Sequence, residues 1–202
     1  IIGIMQTAYV ICLIITCSLI AFVAGCTEFI IIRIEHLNLL LKRVVKPNDL
    51  DSKESLIKCI KYHIHIISLV KKFNMCFDKF TMLFLLQTGP TIALTSFSVI
   101  VEPKPSVIIH LAGWTMTLFI FCLSGQRLMD ASTSIGDTIY DTQWYKMNNS
   151  LGKYVILILI QAQRPLAMRM WLYSEASYMT LAQVMKLAYS ITTLLNSTLQ
   201  KD

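Results

Sequence analysis

Apolar residues fall into four long stretches along the chain, and polar or charged residues separate them. Residues 1–27, 80–101 and 105–126 contain no Asp, Glu, Lys or Arg. Each is long enough to cross the roughly 30 Å hydrocarbon core of a bilayer as an α-helix. The fourth stretch, 178–200, has the length of a span and a helical period but carries many hydroxyl and amide side chains. The pattern predicts an all-α membrane protein with four transmembrane helices.

Two of these helices are predicted to continue well beyond the membrane. Beyond residue 27, charged residues such as Arg33 and Lys42 are interspersed with leucine and isoleucine up to about Val45. The stretch 51–79 repeats this amphipathic pattern before the second uncharged span begins. A helix over 53–98 would be about 65 Å long, roughly twice the hydrocarbon thickness. We expect it to bend at Pro90, because proline lacks the backbone N–H that the helix needs.

Composition and charge support this picture and give it an orientation. The chain is 55% hydrophobic and 15% charged, which is too apolar for a typical soluble domain. Of its basic residues, nine lie between Arg33 and Lys72 against four acidic ones, so the positive-inside rule places this link in the cytoplasm. A solvated helical face would explain much of the same charge. We expect a multi-pass protein with an extracellular C-terminus, and no nucleic-acid partner.

No group of side chains predicts an enzyme, a metal site or a cofactor. His63 and His65 are two residues apart, so they point to different faces of a helix, whereas zinc sites favour spacings of three or four. The six cysteines are scattered without a C-x-x-C pair and are expected to be packed as small apolar side chains. Asp137 and Asp141 share a helix face but have no partner that would make them a catalytic pair.

The last stretch carries the strongest functional signal. One narrow face of a helix over these residues is polar, then leucine, then polar, which is typical of a pore with an apolar collar. Alternatively, its hydroxyls pack against neighbouring helices, where small polar residues are common. Lys186 argues in part against a pore, although it lies about 80° from the direction of Leu194. The residues of this face are Thr180, Gln183, Leu187, Ser190, Ile191, Leu194, Ser197 and Thr198.

Two sequence elements resemble the C-terminal signature of insect odorant receptors. The first is Gln163-Arg164-Pro165-Leu166, and the second is the run from Met185 to Leu195, MKLAYSITTLL. The aromatic segment Gln143-Trp144-Tyr145 is also similar to that family. The chain departs from the pattern over 172–180, where family members often carry a phenylalanine-proline element, and at Ala188, where serine is common.

The resemblance implies a subunit of seven helices, of which this chain would hold helices four to seven. Such receptors are ligand-gated, non-selective cation channels that act in olfaction, assembled as tetramers with an odorant co-receptor in the plasma membrane. Their long cytoplasmic extensions form an anchor domain between subunits, and the last helix lines the pore. By position, Leu194 would be the gate, with Ile191 just inside and Ser197 and Thr198 just outside. The implied partners are co-receptor subunits, a small volatile ligand, membrane lipids and permeant cations.

The resemblance also implies an odorant pocket in the outer half of the helices. The residues of this chain at that depth are Met5, Tyr9, Leu13, His110, Trp114 and Thr117. A mostly apolar pocket with a few polar groups suits a volatile molecule. Side chains of these types at helical spacing are also common in a packed core. The alternatives are a gustatory receptor channel, or a G-protein-coupled or transporter-like membrane protein.

Together these observations divide the chain into five segments. The chain begins at Ile1 within an apolar run, so we expect it to be the C-terminal part of a longer protein. The predicted segments are a transmembrane helix continuing into a cytoplasmic helix at 1–45, a cytoplasmic helix continuing into a transmembrane helix at 46–101, a transmembrane helix with a cytoplasmic extension at 105–140, a cytoplasmic anchor helix and linker at 141–177, and a pore-lining transmembrane helix at 178–200.

Overall fold

The structure is a computed structural model that describes residues 2–45, 52–169 and 175–199, with side chains described over 10–45, 53–148, 151–169 and 175–198. Within these ranges the chain is almost entirely helical, as predicted, and the one β-type pairing is an isolated antiparallel bridge between Arg169 and Glu175. The α-helices are α1 (Ile2–Val44), α2 (Ser52–Val101), α3 (Pro105–Tyr140), α4 (Asn149–Ala162) and α5 (Tyr178–Leu199), and a short 3₁₀ helix at Trp144–Lys146 precedes α4.

The helix ends follow from local sequence. Lys42 and Arg43 lie in the last turn of α1, where their charges oppose the partial negative charge of the helix C-terminus. Pro105 is the first residue of α3, a position at which its missing N–H costs nothing. Helix α2 continues through Pro90 as one element of 50 residues. The expected long helices are therefore continuous segments of secondary structure.

Three of the helices are long and apolar enough to cross a membrane. They are the described parts of α1, α2 and α3, at Val10–Val44, Lys53–Val101 and Pro105–Tyr140. Helix α5 has 22 residues, enough for a span, but its hydroxyl and amide side chains keep it out of this group. The shorter apolar stretch of α4, Leu151–Ala162, cannot span a bilayer. The polarity of α5 is thus a property that separates it from the other long helices.

The described chain divides into two compact units. The first unit comprises Ile1–Gly25, Phe77–Ser124 and Arg169–Asp202. In its core, the rings of Phe84 and Phe121 meet edge to face with 5.4 Å between their centroids. The unit also buries residues of α1, α2, α3 and α5, namely Ile20, Val23, Leu85, Ile92, Trp114, Leu118, Val184 and Ala188.

The second unit comprises Cys26–Cys76 and Gly125–Met168. Helix α2 buries residues here at intervals of three and four, as expected for an amphipathic helix with one packed face. An ion pair between Glu28 and Arg127 joins α1 to α3. These two charges end the uncharged stretches of their helices, so they lie at corresponding levels along α1 and α3. The buried residues of α2 in this unit are Leu56, Cys59, His63, Ile66, Val70 and Phe73.

Helix α4 buries only one of its faces in this chain. Val155, Ile158 and Ala162 are buried, whereas Ile156, Leu157 and Ile160 are each about half exposed. The described chain therefore offers α4 packing partners on one side only.

The two neighbouring histidines of α2 lie in different environments. His63 is buried in the core of the second unit, whereas His65 is exposed, so the prediction that they point to different faces is confirmed. Burial lowers the pKa of His63 below its ordinary value of 6.5, because the protonated ring loses hydration. Among the described residues, no group of three or more His, Cys, Asp or Glu side chains is placed to hold a metal ion.

Acidification is expected to destabilise the second unit through His63. Since its folded pKa lies below its unfolded value, the unfolded state binds more protons as pH falls through about 6.5, and stability decreases in that window. The thermal midpoint of the protein in detergent should fall between about pH 7.5 and about 5.5, and His63→Phe should reduce that fall. His65→Gln serves as the control and should behave like wild type. An equal fall in the His63→Phe variant would contradict the assignment.

Candidate pore helix and ligand sites

Within the first unit, helix α5 packs through one regularly spaced face. Thr180, Val184, Ala188 and Thr192 recur every four residues and are all buried. The Thr192 hydroxyl lies 2.8 Å from the Ala188 carbonyl oxygen of its own helix and 3.2 Å from the Ala93 carbonyl oxygen of α2. A Cβ atom at Gly89 of α2 would lie 3.8 Å from Leu187 Cδ2 and 3.9 Å from Val184 Cγ1, so the two helices are in close contact there. This packing fixes the rotation of α5 about its own axis.

The opposite face of α5 is exposed and carries most of the predicted pore residues. Leu194 is 64% exposed, Ser197 and Thr198 are exposed, and Ile191 is half-buried. The hydroxyls of Ser197 and Thr198 donate to the carbonyl oxygens of Leu194 and Leu195, at 2.8 and 2.7 Å. Their oxygen atoms can still accept hydrogen bonds. The exposed face therefore has a leucine with hydroxyl groups one turn further along.

Among these hydroxyls, that of Thr192 packs against α2, whereas Ser190 and Ser197 are exposed in this chain. Ser190 bonds back to the Lys186 carbonyl oxygen of its own helix at 3.0 Å and faces away from the packed side. The prediction that Thr180 shares the exposed face is wrong. Thr180 is buried, and its hydroxyl donates to the Glu175 carbonyl oxygen at 2.6 Å at the start of α5. The exposed face of α5 therefore begins after Thr180.

Two of the residues predicted for odorant binding, Leu13 and Thr117, lie where α1 and α3 meet. Trp114 and Thr117 are buried, and Leu13 and His110 are half-buried. The Thr117 hydroxyl donates to the Gly113 carbonyl oxygen at 2.8 Å and lies 3.2 Å from the Cys17 sulfur. A Cβ atom at Gly113 would lie 3.6 Å from the Leu13 side chain. The side chains of Met5 and Tyr9 lie outside the described residues.

A cavity that the sequence did not predict lies between α2, α3 and α5. Its volume is about 370 Å³, within the range of small-molecule pockets. It has no residue in common with those predicted for odorant binding. Its lining comes from three segments that are distant in sequence, which explains why no single pattern indicated it. The lining residues are Ile92, Ser96, Val99, Ile100, Leu111, Met185, Ala188, Tyr189, Thr192, Thr193 and Asn196.

In the second unit, three helices hold the segment 166–168 that follows α4. The Leu166 N–H donates to the Ser132 hydroxyl of α3 at 2.9 Å, and the Asn74 amide of α2 donates to the Ala167 carbonyl oxygen at 3.0 Å. The Thr27 hydroxyl of α1 lies 3.6 Å from the Met168 sulfur, and Met168 is buried. We call these contacts the linker clasp. The segment includes the leucine of the Gln-Arg-Pro-Leu motif, so the clasp gives part of that motif a structural role.

The fold and these sites define an all-helical, multi-pass membrane protein with one polar helix. Comparison with known sequences agrees with this class and narrows it. The family model for the 7tm odorant receptor matches residues 1–189, and the chain belongs to this family. The resemblance inferred from the two C-terminal motifs is thereby confirmed, and the gustatory, G-protein-coupled and transporter alternatives are set aside.

Relatives support the assignment at low identity. The chain is 23% identical to odorant receptor 85f of Drosophila melanogaster over 76% of its length, and 24% identical to odorant receptor Or2 of Anopheles gambiae over 87%. It is also 27% identical to the odorant receptor coreceptor of Harpegnathos saltator over 61% of its length. The alignments cover 40%, 50% and 28% of those three proteins, so the chain spans half of their length or less.

A solved structure shows the same fold. The olfactory receptor OR5 of Machilis hrabei, determined in complex with eugenol, superposes with a TM-score of 0.76 at 12% sequence identity. The match covers 86% of this chain and 46% of that receptor. At this identity the similarity concerns the fold, and it agrees with the arrangement of several long apolar helices described above.

The linker clasp is expected to contribute to stability. Replacing Asn74 with Leu removes the donor to the Ala167 carbonyl, and an unsatisfied, partly buried carbonyl costs about 1–3 kcal/mol. The thermal midpoint of the full-length receptor in detergent should fall by several degrees. Met75→Leu, at an adjacent residue that is 74% exposed, is the control and should leave the midpoint unchanged. Equal midpoints for the two variants would show that this hydrogen bond contributes nothing.

Proposed function

We propose that the chain is part of an odorant-receptor subunit of a ligand-gated, non-selective cation channel in the plasma membrane. Membership of the odorant receptor family supports a receptor that binds small volatile molecules. The similarity to a co-receptor supports assembly with odorant co-receptor subunits in a tetramer, in contact with membrane lipids. In this proposal α1, α2, α3 and α5 cross the membrane within the five predicted segments, and the C-terminus is extracellular.

The observation that carries the channel proposal is the exposed face of α5. Leu194 is exposed and lies about 160° around the helix from the packed Thr192, with Ile191 one turn before it and Ser197 and Thr198 one turn after it. A leucine facing lipid would need no hydroxyl neighbours, whereas one facing a pore would benefit from them, because they hydrate the passage on either side of an apolar constriction. In a tetramer, four copies of Leu194 would form a collar that opens by widening and wetting.

Ligand binding is proposed at the contact of α1 with α3. Buried Trp114 supplies a large apolar surface, and half-buried His110 and buried Thr117 supply polar groups on the same helix. Leu13 approaches Gly113 from α1 and would form part of an apolar wall, and the proposal includes Tyr9 and Met5, which lie one and two turns before Leu13. A ligand there would shift the equilibrium towards an open state only by its difference in affinity between the two states.

Assembly is proposed to use the exposed face of α4. Ile156, Leu157 and Ile160 form an apolar patch on a helix too short to span a membrane. An apolar patch of this kind outside the bilayer favours burial against another protein surface. We infer that the cytoplasmic anchor segment packs against neighbouring subunits through this face.

The gate assignment is tested by replacing Leu194 with serine in the full-length receptor, co-expressed with its co-receptor. Removing the apolar collar should raise the ligand-independent current several-fold, because a polar constriction stays hydrated when narrow. Leu86→Ser on α2 is a matched control, since Leu86 is also an exposed leucine of the first unit, at 59% against 64%. An unchanged basal current in a correctly assembled Leu194→Ser channel would exclude Leu194 as the gate.

The assembly surface is tested with Leu157→Asp and Ile160→Asp. A carboxylate in an apolar interface loses its hydration without gaining a partner, so each variant should reduce co-purification of the co-receptor several-fold. Lys153→Asp changes charge at an exposed position of the same helix and should leave assembly intact. The interface assignment fails if the two patch variants assemble as well as the Lys153→Asp control.

A further inference from the structure

The cavity between α2, α3 and α5 has the chemistry of a ligand site. Six of its lining side chains are aliphatic or thioether groups, and Tyr189 adds an aromatic ring. Besides the Tyr189 phenol, four residues supply hydroxyl or amide groups, and none of the lining residues is Asp, Glu, Lys, Arg or His. A charged molecule would lose hydration there without gaining a counter-ion. A neutral, largely apolar molecule would lose little.

Hydrogen bonds within the helices decide which polar groups remain available. Thr192 donates to the Ala188 and Ala93 carbonyl oxygens, and the Thr193 hydroxyl to those of Tyr189 and Ser190, so both hydroxyls can only accept from a ligand. The Asn196 amide and the Ser96 hydroxyl have no hydrogen-bond partner among the described residues, so each can still donate and accept. The cavity thus offers a few polar contacts within an apolar wall.

From this geometry we propose that the cavity is a second small-molecule site, separate from the odorant-binding residues proposed on α1 and α3. Its ligand class is a compact apolar molecule with one hydroxyl or carbonyl group, which would meet Asn196 or Ser96. A volume of about 370 Å³ is near the lower end for small-molecule pockets, so the ligand is small. The binding proposal does not depend on the channel function, because it concerns the cavity alone.

The position of the cavity on α5 indicates what its ligand does. At 100° per residue, the cavity-lining residues of α5 centre about 180° from Leu194. A ligand would therefore occupy the space behind the proposed gate. Widening of a collar requires α5 to move away from the pore axis, and an occupied cavity opposes movement in that direction. We expect an inhibitory site, and this consequence rests on the proposed function.

Binding is tested by photolabelling the purified full-length receptor and co-receptor complex with a diazirine derivative of octanol, followed by peptide mapping. Label is expected on lining residues such as Met185 and Tyr189, and excess octanol should reduce it. Ser96→Phe, which fills the cavity from α2, should decrease that label several-fold. Ala188→Leu is a smaller insertion from the opposite wall and should act in the same direction. Leu94→Phe, two residues from Ser96 but 57% exposed and outside the lining, is the matched control.

The proposal is overturned if no label reaches the lining residues, or if label there survives both cavity-filling variants in folded complexes.

Currents provide the second measurement. Octanol applied with an activating odorant should reduce the wild-type current, and Ser96→Phe should weaken that inhibition relative to Leu94→Phe. Labelling as expected without any inhibition would support the binding site and overturn its gating role. A normal basal current in Leu194→Ser would count against the gate and leave the labelling result intact.

Discussion

The packing of α5 on α2 is the contact on which the interpretation of this chain depends. In a membrane, small polar side chains can hydrogen-bond across the contact between two helices. The Thr192 hydroxyl of α5 donates to the Ala93 carbonyl oxygen of α2, about 160° around the helix from Leu194, and Val184 comes close to Gly89 of α2. Once this face is fixed, Leu194 and Ser197 have to face away from it. The gate proposal is therefore a consequence of where the threonine packs.

Periodicity predicted the helices well, because each depends on residues close together in sequence. The first helix was expected to end near Val45, and α1 ends at Val44. Helix α3 begins at Pro105, as expected. The separation of His63 from His65 follows from the same rule of 100° per residue. Motifs near the C-terminus identified the family, because they are short and linear.

Contacts between distant segments were beyond this kind of prediction. A helical wheel places Thr180 on the pore stripe. It cannot show that the Thr180 hydroxyl donates to the Glu175 carbonyl oxygen just before α5. The cavity needs α2, α3 and α5 to converge, and the linker clasp needs Asn74 and Ser132 to reach the same short segment. Glu175 lies only five residues before Thr180, but in the linker clasp Ser132 and Leu166 are 34 residues apart, and Asn74 and Ala167 are 93 apart.

The two faces of α5 also explain why its polarity is tolerated. A polar side chain inside a bilayer is costly unless it meets a partner or water. The described serine and threonine hydroxyls of this helix bond to backbone carbonyls, at Thr180, Ser190, Thr192, Thr193, Ser197 and Thr198. Their hydrogens are satisfied, but Asn196, whose amide has no partner among the described residues, and the exposed Lys186 still require polar surroundings. A lumen on one side and a small cavity on the other would supply them, so the composition of α5 fits a helix between two spaces better than one enclosed by lipid.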